Sequence, residues 1–231
     1  MLSSIFMIAL ATSVSAHGLI TQPPARAVGP TMVENCGPSV AALVTADNTS
    51  HVEDMPEASL LEPKFKADKC NLFLCRGTQF EDNRNQVQNF TAGQKVNMKA
   101  SIPIPHEGPM NVSVIKTSTN KAIGSPLIEF KSYADESLPV LPANNTDFDV
   151  TIPTTLGADC TVPGDCVLQW FWFGTGAKQT YESCVDFVVT GGASGAPTTS
   201  GNSTTPANTP ANPVKSVIPS GVTRLKFTTP L

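Results

Sequence analysis

Between residues 95 and 189 the chain alternates apolar and polar positions in short runs. Val96, Met98, Ala100 and Ile102 fall on one side of such a run, and Met110, Val112 and Val114 on one side of the next. Phe148, Val150 and Ile152 repeat the pattern, as do Val185, Phe187 and Val189. A period of two is that of a half-buried strand, whose successive side chains point to opposite faces. Val167 to Phe173 (VLQWFWF) is almost continuously apolar, which predicts a central strand covered on both faces. Pro and Gly punctuate the intervals, and no long stretch has the 3.6 period of a helix. The pattern predicts an all-β chain folded as an antiparallel β-sandwich with long loops. Residues 30–75, rich in Pro, Asn and Asp, read as one long loop region held by cysteines, with a short helix near Pro38–Val44.

The two ends differ from this middle. Residues 1–16 read as a secretory signal: Ile5 to Leu10 is the apolar core, and Val14-Ser15-Ala16 the small-residue cleavage site. From Gly191 the text is Gly, Ser, Thr, Pro and Asn, which buries too little apolar surface to order itself. Three segments are therefore expected: a signal peptide at 1–16, a folded domain at 17–190, and a disordered tail at 191–231. The tail reads as a linker or O-glycosylated stalk. Its ending is too short for a carbohydrate-binding domain and lacks the apolar stretch of a lipid-anchor signal.

Secretion changes how the six cysteines are read. In an oxidising compartment they form three disulfides rather than a zinc site. Connectivity does not follow from sequence. The shortest loops favour Cys70–Cys75 and Cys160–Cys166, leaving Cys36–Cys184. Sequons at Asn48, Asn89, Asn111, Asn144 and Asn202 fit a secreted glycoprotein. The net charge is −4 with no basic stripe, so nucleic acid is not an expected partner. No apolar run after the signal is long enough to span a membrane. A soluble, extracellular monomer is expected.

Candidate chemistry begins at the cut. Cleavage after Ala16 makes His17 the N-terminus, and an N-terminal histidine offers its α-amine and ring Nδ1 from one residue. A second imidazole would complete a planar three-nitrogen site, a geometry suited to copper(II). Two other histidines exist. His106 lies in Pro103-Ile104-Pro105-His106-Glu107-Gly108-Pro109, a connection stiffened by three prolines. A stiff loop suits a ligand that must hold its place. His51 sits beside the Asn48 sequon and is assigned to surface structure. Tyr181, ahead of the last strand, is a candidate for the axial face of a metal. Gln179, two residues earlier, is placed to donate a hydrogen bond to a bound oxygen species.

These residues carry a resemblance. His17 opening the processed chain, His-x-Gly-Pro-x-x-Val at 106–112 and Gln-x-Tyr-x-x-Cys at 179–184 resemble the lytic polysaccharide monooxygenases. HGLITQPPARAVG, CNLFLCRG, PHEGPMNVSV and YESCVDF, in that order across 17–190, are similar to the fungal group classed as auxiliary activity family 16. The resemblance implies an immunoglobulin- or fibronectin III-like sandwich. It also implies one copper ion held by the His17 amine and ring and by His106. Tyr181 then matches the axial tyrosine and Gln179 the outer-shell glutamine. An external electron donor, and hydrogen peroxide or dioxygen as co-substrate, are implied with it. The implied activity is oxidative cleavage of a polysaccharide, foremost cellulose at the anomeric carbon, alongside glycoside hydrolases. One departure stands out. Cellulose-active families carry an outer-shell histidine on the strand before the glutamine motif, and Trp172-Phe173-Gly174-Thr175-Gly176 has none. Two alternatives stand beside this reading: a copper-binding protein of uptake or buffering, and a carbohydrate-binding protein. Trp170 and Trp172 read as core rather than as a sugar platform.

Overall fold

A computed structural model describes residues 17–190; the expected signal peptide, the tail and Asn202 lie outside the described residues. Among the described residues nine strands form two sheets. The first consists of β1 (His17–Gln22), β3 (Lys95–Ile104) and β7 (Asp147–Thr151), in the order β1-β3-β7. The second contains β2 (Gln88–Phe90), β9 (Gln179–Val189), β8 (Cys166–Gly174), β4 (Gly108–Lys116) and β5 (Lys121–Ala122), in that order. A further strand, β6 (Ile128–Tyr133), also pairs with β4. All pairings are antiparallel except β2 with β9.

The alternations predicted from sequence become the inner faces of this immunoglobulin-like sandwich. Ile20, Val96, Met98, Phe148 and Val150 from the first sheet meet Met110, Val112, Leu168, Trp170, Trp172 and Phe187 from the second. Both tryptophans are fully buried there, as core residues. Tyr133 joins them and donates its hydroxyl hydrogen to the Asn145 carbonyl at 2.5 Å. The continuous run at 167–173 is the central strand β8, between β4 and β9.

The region read as one long loop is instead partly helical: α1 (Pro30–Cys36), α2 (Pro38–Ala46) and α3 (Met55–Leu60). Each begins with a proline in its first two positions, where the missing N–H costs no helical bond. Met32, Cys36, Val40, Val44, Val52 and Met55 build a second small core under these helices. Gly37 joins α1 to α2 at φ 93°, a conformation that favours glycine. The fourth helix, α4 (Ala143–Thr146), precedes β7.

Two of the three expected disulfides are corrected. The bonds are Cys36–Cys70, Cys75–Cys184 and Cys160–Cys166. Cys75, Arg76 and Gly77 all have positive φ (57°, 56° and 72°), so the chain reverses at Cys75 and carries its side chain to β9. Cys70 stays behind in the helical core with Cys36. The cysteine that ties β9 to the region before β2 is therefore Cys75, and not Cys36.

Strand β9 is covered on both faces. Tyr181, Val185, Phe187 and Val189 face the sandwich core. The intervening residues Glu182, Cys184 and Asp186 are also buried. They meet two segments outside the sheet: in one, Arg76 N–H donates to Glu182 at 3.4 Å and Cys75 is bonded to Cys184, and in the other, after β1, Arg26 forks onto Asp186. Arg26 Nε and Nη2 each lie 2.7 Å from an Asp186 carboxylate oxygen, and Nη1 donates to the Thr78 carbonyl at 3.2 Å.

Candidate metal centre

The register of the strands brings the expected site residues to one end of the sandwich. In the β1–β3 pair His17 lies opposite Ile104, two residues before His106. The neighbouring Gly18 lies against the Trp172 indole, 3.0 Å from where its own Cβ would be. The β8–β9 pair sets Trp172 opposite Tyr181 and Gly174 opposite Gln179. The Tyr181 ring packs on Trp172 with centroids 4.6 Å apart. Its hydroxyl donates to Gln179 Oε1 at 2.7 Å. Tyr181 lies inside β9 rather than ahead of it.

Two glycines seat the His106 loop against the end of β8. A Cβ on Gly108 would lie 1.9 Å from the Phe173 carbonyl oxygen, so only glycine fits there. A Cβ on Gly174 would lie 3.2 Å from that of His106. The loop is pinned by Thr175 N–H donating to the Glu107 carbonyl at 2.9 Å, and by Glu107 N–H donating to Glu136 at 2.6 Å. His106 is buried.

The hydrogen bonds of the two imidazoles are complementary. His106 Nδ1 faces the carbonyl of Pro105, so it carries the proton and the lone pair is on Nε2. His17 Nε2 lies 2.7 Å from Asp47 Oδ2, which puts the lone pair of a neutral ring on Nδ1. In His17 that is the nitrogen able to close a chelate with an α-amine. Metal-ligating histidines are held in this way by a carboxylate or carbonyl on the far nitrogen. Among the described residues no group of three or more His, Cys, Asp or Glu is placed to hold a metal. The expected donors are two imidazoles, Tyr181 and the amine that the expected cleavage would free. They fit a nitrogen-rich copper site and not an oxygen-ligated hard cation.

A shelf that the sequence did not announce flanks these residues. Thr49 carbonyl accepts from Gly18 N–H at 3.0 Å, and Thr180 carbonyl accepts from Val52 N–H at 3.0 Å. Glu53 accepts from Thr180 N–H with both carboxylate oxygens at 2.9 Å. His51, expected on the surface, has its side chain only 12% exposed between Glu53 and Asp54. Its ring stands edge-on to Tyr181 with centroids 6.3 Å apart. The nearby sequon had suggested solvent, but Asn48 itself is exposed while the turn after it folds His51 inward.

Arg76 holds this shelf from below. Its guanidinium donates to the carbonyls of Asn48 at 2.5 Å and Asp47 at 3.1 Å, and to Ser50 Oγ at 3.0 Å. Burial pulls Arg76 down to about 10, against the opposing pull of Asp47 and Glu182. Burial likewise pushes Glu182 up to about 7, against the Arg76 N–H and charge. Partial burial raises Asp47, but hydrogen bonds from Thr49 and the charges of His17 and Arg76 outweigh it and hold the carboxyl below its ordinary range.

A family model described as "Lytic polysaccharide mono-oxygenase, cellulose-degrading" (LPMO_10) matches residues 17–187, from the start of β1 into β9. No curated protein matches the chain. Several solved structures are similar at low identity. A Bacillus amyloliquefaciens CBM33 in complex with Cu(I) after photoreduction is 16% identical, over 75% of this chain and 100% of that one, with a TM-score of 0.42. The catalytic domain of the Listeria monocytogenes LPMO Lmo2467 is 14% identical over 76% and 100%, with a TM-score of 0.42. A chitin-binding domain from Burkholderia pseudomallei has the same identity, coverage and TM-score, 14%, 76% and 100%, and 0.42.

Proposed function

The chain belongs to the LPMO_10 family and is a lytic polysaccharide monooxygenase; we propose that it is secreted and oxidises a β-glycan, foremost cellulose at the anomeric carbon. In this reading His17 and His106 would hold a single copper, with Tyr181 as the third side chain facing it and Gln179 placed to donate a hydrogen bond to what binds there. The observation that carries it is the complementary pair of imidazole hydrogen bonds, Pro105 on His106 Nδ1 and Asp47 on His17 Nε2. Bound copper would supply the redox power that a sugar C–H bond demands and that no side chain here has. An external electron donor and hydrogen peroxide or dioxygen serve as co-reactants.

The protein's own residues bind and orient. Trp172 supports the Tyr181 ring, and Tyr181 in turn fixes the Gln179 amide through its hydroxyl. Gly108 and Gly174 let the His106 loop lie close on the sheet end. The four motifs favour the fungal auxiliary activity family 16 within the family. Residues 1–16 are read as a leader whose removal creates the amine ligand, 17–190 as the catalytic domain, and 191–231 as a tail. The enzyme is a glycoprotein acting beside glycoside hydrolases.

The test is to make the protein beginning at His17 and a version retaining Ala16, titrate each with copper, then add ascorbate and a glycan panel. A free amine must lose a proton to bind copper, yet it remains a far better donor than a peptide nitrogen. Copper affinity should fall by orders of magnitude in the extended chain, and the His17-first protein should release aldonic-acid oligosaccharides. Equal affinities would refute the amine ligand. Tight copper with no oxidised product from any glycan would favour copper carriage instead.

A further inference from the structure

We propose that Asp47 is a positioning residue for the metal centre: its carboxylate holds the His17 imidazole by Nε2, so that Nδ1 is presented on the side of the α-amine. This rests on the reading of His17 as a ligand. The carboxylate is itself fixed, because its two oxygens have separate partners. Oδ1 accepts from Thr49 N–H at 2.8 Å and Thr49 Oγ1 at 2.5 Å, which leaves Oδ2 for His17 at 2.7 Å. Asp47 N–H donates to the Leu43 carbonyl at 3.1 Å, seating the turn on the end of α2. From below, Arg76 binds the carbonyls of Asp47 and Asn48.

The same turn also holds the backbone next to His17, through Gly18 N–H and the Thr49 carbonyl. Ring and main chain are thus both tied to the turn that follows α2, which restrains the imidazole before any metal arrives. An ordinary exposed ion pair would not do this, since two long mobile side chains can exchange partners with water. Here one partner is short, doubly restrained and mounted on a helix end. Preorganisation of a ligand raises affinity by removing the cost of ordering it.

The experiment uses the protein beginning at His17, with Asp47→Ala and Asp47→Asn. Asparagine keeps the shape of the turn and one acceptor for Thr49, and turns N–H donors toward His17 Nε2. Three quantities are read: the His17 ring tautomer in the copper-free protein by long-range 1H–15N NMR, copper affinity by competition calorimetry, and the copper(II) electron paramagnetic resonance spectrum. The wild type should show the Nε2–H tautomer. Both variants should lose that preference, bind copper about 10- to 100-fold more weakly and give altered spectra, with the melting temperature unchanged in Asp47→Asn. An unchanged tautomer with equal affinity in Asp47→Asn would overturn the proposal. If the wild type itself bound no copper, the ligand reading would fail, and the tautomer in copper-free protein would still decide whether Asp47 orients the ring.

Discussion

Arg26 and Asp186 give the most demanding test of how the N-terminal segment is fastened to the sheet. Both side chains are nearly buried, at 6% and 1% exposure, and two 2.7 Å contacts join them in a fork. Arg26 follows β1 by four residues, so this pair sets how the chain leaves the strand that carries His17. Replacing Arg26 with Met keeps the stem's apolar packing and removes the guanidinium. Asp186 is then a buried carboxylate without its cation, a state that costs roughly 3–5 kcal/mol. For a folded unit of this size each kcal/mol lowers the melting temperature by about 2–4 °C. Calorimetry should therefore record a drop of roughly 6–20 °C for Arg26→Met. The double variant Arg26→Met/Asp186→Leu removes both charges together and should recover most of the loss, because a buried pair contributes far less than its halves cost. Urea melts of the four proteins in a double-mutant cycle give the coupling directly. A single-variant loss below about 1 kcal/mol, the range of exposed pairs, would refute the argument.

Three further outcomes follow from the geometry. Cys75→Ala/Cys184→Ala opens a link between residues 109 apart in sequence, for which chain entropy gives about 4–5 kcal/mol; a urea midpoint unchanged from wild type would contradict it. Gly108→Ala forces a Cβ toward the Phe173 carbonyl, 1.9 Å away. The His106 loop must lift, and calorimetry should show weakened copper binding. Glu182 titrates near 7 in the fold against an ordinary 4.5, so it keeps its proton where the unfolded chain has lost it. Its contribution is full below about pH 4.5 and is lost as pH rises toward 7, up to about 3 kcal/mol. Glu182→Gln should lack that part of the wild-type pH dependence, measured as the difference between the two stability curves.

The inner faces of the sandwich were legible because burial on one side imposes a period of two. Val96, Met98, Val112, Val150 and Phe187 all stand where that period put them. The outer face of β9 was not legible. Glu182 and Asp186 alternate with apolar residues just as solvent-facing carboxylates do, yet Glu182 is buried against Arg76, and Asp186 against Arg26 from the segment after β1. Only tertiary contact reveals a second cover on a strand. The helices α1 to α3 span six to nine residues each, too few turns for a helical period to emerge. The cysteine pairing failed for a local reason, the left-handed turn at Cys75–Gly77, which reverses the chain within two residues of a tempting short loop. His17, His106, Gln179 and Tyr181 were singled out by residue type and place and then by motif order, and strand register sets His17 opposite Ile104 and Gln179 opposite Gly174. Asp47 and His51 lie in no motif of that kind; their place depends on how the 47–53 turn docks on Thr180 and Gly18.

The bond between Cys75 and Cys184 has a bearing on how this enzyme withstands its own working conditions. Both sulfur-bearing residues are buried, at 3% and 1% exposure, and thiol exchange requires a thiolate to reach one of the sulfurs. A small reductant in solution meets them only when that part of the fold opens. Electrons delivered at the proposed metal centre would therefore leave intact the crosslink beside Arg76. Burial would in this way keep the disulfide oxidised whatever redox chemistry the histidine end carries out.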